Sequence, residues 1–121
     1  MQMELGIVVL RVNNWYRAVD WYRDVLGLTE LYRDEQAQEA QFEAGPVHLA
    51  VEPASKAGGE PKEEVGTGFV LQFRVESLDK IVADLASRGV DFTTDIREEE
   101  WGRLATCVDL EGNQIQIYEQ S

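Results

Sequence analysis

One histidine, two arginines at matching places in the chain and a set of glutamines are the side chains here best suited to chemistry. His48 is the only imidazole, with two distinct nitrogens and a charge that changes near neutral pH, so it suits ligand recognition, acid/base work or a satisfied structural place. Catalysis would need a group that orients it, and only Gln116 and Tyr118 offer themselves. Arg11 and Arg74 carry fork-shaped guanidinium groups, which either close ordinary ion pairs at a sheet end or hold an anionic or carbonyl-bearing ligand. Trp101, just before Gly102, either caps the edge of a core or supplies a flat wall for a conjugated ring. Cys107 stands between Ala105 and Asp109 with no basic neighbour, which predicts a buried, inert thiol.

The elements that must position these residues begin with Ile7 to Leu28. An apolar run, Ile7 to Val12, predicts a strand. After Asn14, a good N-cap, apolar residues at Trp15, Ala18, Val19, Tyr22, Val25 and Leu26 take the helical period as far as the stop at Gly27. Strands follow over 28–34, 38–44 and 47–52. Residues 53–66, PASKAGGEPKEEVG, hold prolines and glycines without an apolar period and predict a linker. The opening pattern then returns at a constant offset: Ile7 matches Val70, Leu10 matches Phe73, and Arg11, Val12 and Val19 match Arg74, Val75 and Val82. A second helix over 78–88, capped by Ser77 and stopped by Gly89, precedes strands over 90–96, 103–110 and 114–119, the last two joined by a tight turn at Glu111-Gly112-Asn113. The chain 1–121 reads as one α+β domain of two tandem βαβββ units, 4–52 and 67–121, flanking the linker.

Strand pleat assigns the faces. Val8, Leu10, Val12, Leu71, Phe73, Val75, Val47, Leu49, Val51, Ile115 and Ile117 belong under the helices. The opposite faces, expected to combine into one curved cleft, receive Ile7, Val9, Arg11, His48, Ala50, Val70, Gln72, Arg74, Gln114, Gln116 and Tyr118. Trp21 falls off the apolar face of the first helix, which predicts an exposed indole in a homodimer interface.

Eleven Lys plus Arg against 23 Asp plus Glu give a net charge of -12. That balance disfavours nucleic acid or an anionic membrane as partner. One cysteine, no basic and apolar leader and no long apolar run predict a cytoplasmic protein.

With IVVLRVNNWYRAVDWYRDVLGL at the front and WGRLATCVDLEGNQIQIYE at the back, nearly the whole chain resembles the vicinal oxygen chelate superfamily, which includes glyoxalase I, extradiol dioxygenases and the bleomycin-resistance proteins. The resemblance implies paired βαβββ units. In metal-dependent members it implies four cleft-facing ligands, at positions matched here by Ile7, His48, Val70 and Gln116. Two of those are aliphatic, and His48 with Gln116 is too small a donor set for a divalent ion. The expectation is therefore a protein without metal or other cofactor that binds a small molecule, closest in character to the bleomycin-resistance proteins and sequestering a drug or toxic metabolite. Its ligand-binding residues would be Arg11, His48, Gln72, Arg74, Trp101, Gln114, Gln116 and Tyr118. The alternative is a glyoxalase-type lyase or isomerase, or a dioxygenase-like enzyme, recruiting Glu52 or Glu119 as ligands or using His48 as acid/base. The net charge favours a cationic ligand, and the two arginines favour an anionic one.

Overall fold

A computed structural model describes residues 5–54 and 70–121, and these form two compact units. Beyond Ala54, the expected linker lies outside the described residues.

In the first unit β1 (Ile7–Val12) leads into α1 (Trp15–Asp20), which widens into a π turn over Trp21–Val25. Strands β2 (Glu30–Asp34), β3 (Glu39–Ala44) and β4 (Val47–Pro53) follow, in the sheet order β1-β4-β3-β2. Parallel pairing of β1 with β4 closes the unit on its own first strand. Asn14 caps α1 as its type predicts, its side-chain oxygen accepting from the Arg17 N–H at 3.2 Å, and Gly27 beyond the helix takes a positive φ of 89°. One helix stripe, Trp15, Ala18, Val19 and Tyr22, is buried with Val12, Phe42, Leu49 and Val51. Each large side chain so removed from water contributes about 1.5–3 kcal/mol. The Trp15 indole donates to the Val51 carbonyl at 2.9 Å, satisfying its polar atom inside that core.

The second unit runs β5 (Leu71–Arg74), α2 (Leu78–Ser87), β6 (Asp91–Phe92), β7 (Arg97–Glu99), β8 (Gly102–Val108) and β9 (Gln114–Gln120). Its order is β5-β9-β8-β6, again with the first and last strands parallel. The strand expected over 90–96 is corrected to the short piece Asp91–Phe92, and a further strand lies beyond those bounds at Arg97–Glu99. After Phe92 the chain bends, and Arg97–Glu99, whose acidic run reads as bare surface, returns to pair with β8 along the edge that β6 uses further on. Ser77 does not cap α2 with its side chain. Glu119 does so from β9, its Oε1 accepting from the Leu78 N–H at 2.9 Å. Arg103 on β8 fastens the same helix end through both Asp79 oxygens at 3.0 Å, and its guanidinium holds the Asp79 carboxyl below the usual carboxylate range. The turn before β9 is built on buried Asp109, whose carboxylate accepts from the backbone N–H groups of Glu111 and Asn113 and from the Asn113 amide.

Burial follows the pleat. In β1 exposure alternates along the strand, with Ile7, Val9 and Arg11 outward and Val12 fully buried. In β9 Ile115 and Ile117 are buried, while Gln114 is exposed and Gln116 and Tyr118 are half-buried. Trp21, the first residue of the π turn, is corrected from exposed to half-buried, packed edge-on against Tyr22 with ring centroids 5.0 Å apart.

Candidate functional site

Each sheet has one face under its helix and one that the helix leaves open, and the candidate residues fall on the open faces. In the first unit the parallel register sets Ile7 beside His48 and Arg11 beside Glu52. Arg11 Nε donates to Glu52 Oε1 at 3.0 Å, so this arginine closes an ion pair at the sheet end. His48 Nδ1 lies 3.2 Å from Gln41 Oε1, and Gln41 Nε2 donates to the Tyr32 hydroxyl at 3.4 Å. A depression of about 240 Å³ opens beside this row over Ile7, Val9 and Ala50, with Tyr32, Glu39 and Glu52 among its walls. Gln41, Tyr32 and Glu39 are the residues that sequence reading missed. A register shift in the β2–β3 pairing brings Tyr32 opposite Gln41, and the sequence carries no local sign of it.

In the second unit Gln72 pairs with Gln116 and Arg74 with Tyr118. Gln72 Nε2 donates to Gln116 Oε1 at 2.7 Å, and Gln116 Nε2 reaches Thr106 Oγ1 at 3.5 Å, which makes an amide row across three strands. Trp101, 46% exposed, stands edge-on to Tyr118 with ring centroids 5.7 Å apart. Arg74 reaches Gln120 Oε1 at 3.5 Å, and these two share an open depression of about 520 Å³ with Val75 and Glu76. Gln114 is not part of this group. It pairs with Val108, four residues before Tyr118 and thus about 13 Å along the strand. Gln120 was missed, although continuing the alternation past Tyr118 points to it.

The donor sets do not fit a divalent ion. In the first unit the two positions matched to metal ligands give a single imidazole, which contacts Gln41 through Nδ1, because Ile7 is aliphatic. In the second they give one carboxamide engaged with Gln72, because Val70 is aliphatic. Val70 also lies two residues from Gln72, whose partner is Gln116, so the two positions are not in register with each other. Of the proposed replacement ligands, Glu52 is paired with Arg11 and Glu119 caps α2. Among the described residues no three His, Cys, Asp or Glu side chains converge as a metal site would require. Cys107 is fully buried, and desolvation, with Asp109 adding to it, pushes its thiol up to about 11. That thiol stays protonated at neutral pH and is a poor nucleophile.

Comparison with known proteins gives the same fold. The family model described as Glyoxalase/Bleomycin resistance protein/Dioxygenase superfamily matches residues 4–117. The uncharacterised protein YraH of Bacillus subtilis (strain 168) is 32% identical over 125 residues, covering 96% of this chain and 98% of that protein. Among solved structures, TnmS3, an antibiotic binding protein from Streptomyces sp. CB03234, superposes with a TM-score of 0.79 at 22% identity, over 99% of this chain and 98% of that one. A lactoylglutathione lyase from Agrobacterium tumefaciens superposes with a TM-score of 0.78 at 16% identity, over 98% of this chain and 94% of that one.

Proposed function

From its place in the glyoxalase/bleomycin resistance protein/dioxygenase superfamily, to which the chain belongs, we propose that this protein binds a small organic molecule with a conjugated body and uses no metal ion. The observation that carries the proposal is Ile7, 47% exposed and in register with His48 on the open face of the first unit. Where metal-dependent relatives need a donor, this side chain offers apolar contact area and nothing to coordinate. Trp101 and Tyr118 add flat surface for stacking at small entropic cost. Sequestration of a drug or toxic metabolite is the concrete form of this reading, and the antibiotic-binding relative supports it. A cytoplasmic homodimer belongs to the same proposal. Among the described residues no helix is long and apolar enough to cross a membrane, and the net charge of -12 works against nucleic acid as partner.

The test joins metal analysis of freshly purified protein to a calorimetric and tryptophan-fluorescence titration against conjugated compounds. The expected result is saturable binding that dialysis against chelator leaves unchanged. A tightly held divalent ion in every chain, lost together with a lyase or isomerase activity in His48→Ala, overturns the proposal.

A further inference from the structure

The two repeats place the same arginine in different company. In the first unit Arg11 stands beside Glu52 and pairs with it at 3.0 Å. In the second the register gives Arg74 a tyrosine, Tyr118, where Arg11 has its carboxylate. Among the described residues no carboxylate lies within ion-pair distance of Arg74, and its polar contact there is the neutral Gln120 amide at 3.5 Å. Its guanidinium therefore keeps most of its five donors for water or a ligand. It faces an open depression of about 520 Å³, and the neighbouring Tyr118 is backed by Trp101.

We infer that Arg74 is the anchor for an oxyanion, a carboxylate, sulfonate or phosphate group, on a flat ligand whose body lies along Tyr118 and Trp101. The guanidinium fork matches the geometry of such a group and binds it through parallel charge-assisted hydrogen bonds. This rests on the small-molecule reading above and adds to it the sign of the ligand's charge. The chain's net charge of -12 opposes an anion at long range. At physiological salt, however, charges beyond about 8 Å are largely screened, so local groups decide. The local opponent is Glu76, which lines the same depression.

Three probes of one shape test the inference by calorimetry: 2-naphthoate, neutral 2-naphthalenemethanol and cationic 2-naphthylmethylamine. The native chain is expected to favour 2-naphthoate by about tenfold, the effect of a single exposed charge-assisted contact. Arg74→Gln should erase that preference while leaving the neutral probe's affinity in place, and Arg74→Lys should keep part of it. Tyr118→Glu should also erase it, by giving the second unit the ion pair of the first, and Glu76→Gln should strengthen 2-naphthoate binding severalfold. Thermal melts confirm that each variant is folded. Equal binding of the three probes, or a preference that survives Arg74→Gln, overturns the inference and leaves the small-molecule reading standing. No binding of any probe at millimolar concentration overturns both.

Discussion

Two units built on one plan solve the same local problems with different residues. Each must cap a helix that follows its first strand. The first does so with Asn14, three residues from the N–H it satisfies, and the second with Glu119, 41 residues away on the last strand. Each also sets an arginine at the end of its first strand, neutralised by Glu52 in one unit and standing beside Tyr118 in the other. Repetition of the backbone thus fixes where side chains stand, and the partner strand decides what they can do there. Functional difference between the halves is therefore found by comparing register partners.

The comparison can be strained first where the second unit has least room. Gly102, at the start of β8 with φ 156°, lies so close to β9 that an added Cβ would fall inside the Glu119 carbonyl oxygen, whereas Gly45 in the first unit has open space around it and only a positive φ of 78°. Gly102→Ala should cost about 3 kcal/mol or more, since β8 or β9 must move. Gly45→Ala should cost about 1–2 kcal/mol, the left-handed strain alone. Chemical denaturation measures both, and equal losses would show that the two sites are not the contrast described. Next come the caps. Glu119→Ala should cost about 1–2 kcal/mol and raise amide exchange in both α2 and β9, while Asn14→Ala costs about 1 kcal/mol with faster exchange confined to the first turn of α1. The smallest change in stability should come from Glu52→Gln, under about 1 kcal/mol because the pair is partly exposed. It nevertheless frees Arg11 and should let the first unit take up a second, weaker equivalent of 2-naphthoate by calorimetry. Failure to gain it would mean that the missing carboxylate is not what distinguishes Arg74.

Local pattern made the architecture legible. Strand alternation at Ile7 to Val12 and Gln114 to Tyr118 assigned inner and outer faces, and the helical spacing of Trp15, Ala18, Val19 and Tyr22 named a buried stripe. What stayed hidden depends on contacts between distant segments. Arg97–Glu99 has the composition of solvated surface and becomes a strand only because β8 offers it an edge. Ser77 is a good cap by type, yet a longer side chain from β9 takes the role. Trp21 lies off the stripe of an ideal helix yet is half-buried, and the π turn that begins at it has no signature in the residues themselves. The candidate site shows the same division. Its residues could be named from the pleat, but the pairing of Arg11 with Glu52 and the place of Tyr118 beside Arg74 became visible only with the register.

The long-range cap also has a consequence for biosynthesis. As a ribosome makes this chain, α1 meets its cap before its first turn is complete. The first turn of α2 must wait for 41 further residues before Glu119 exists. At ordinary translation rates that interval is about 2–8 s. During it the second helix is held by neither β9 nor its cap, while the strands of the first unit are already complete. Nascent chains arrested between Ser87 and Gln114 should therefore carry a protease-resistant first half and a sensitive second one.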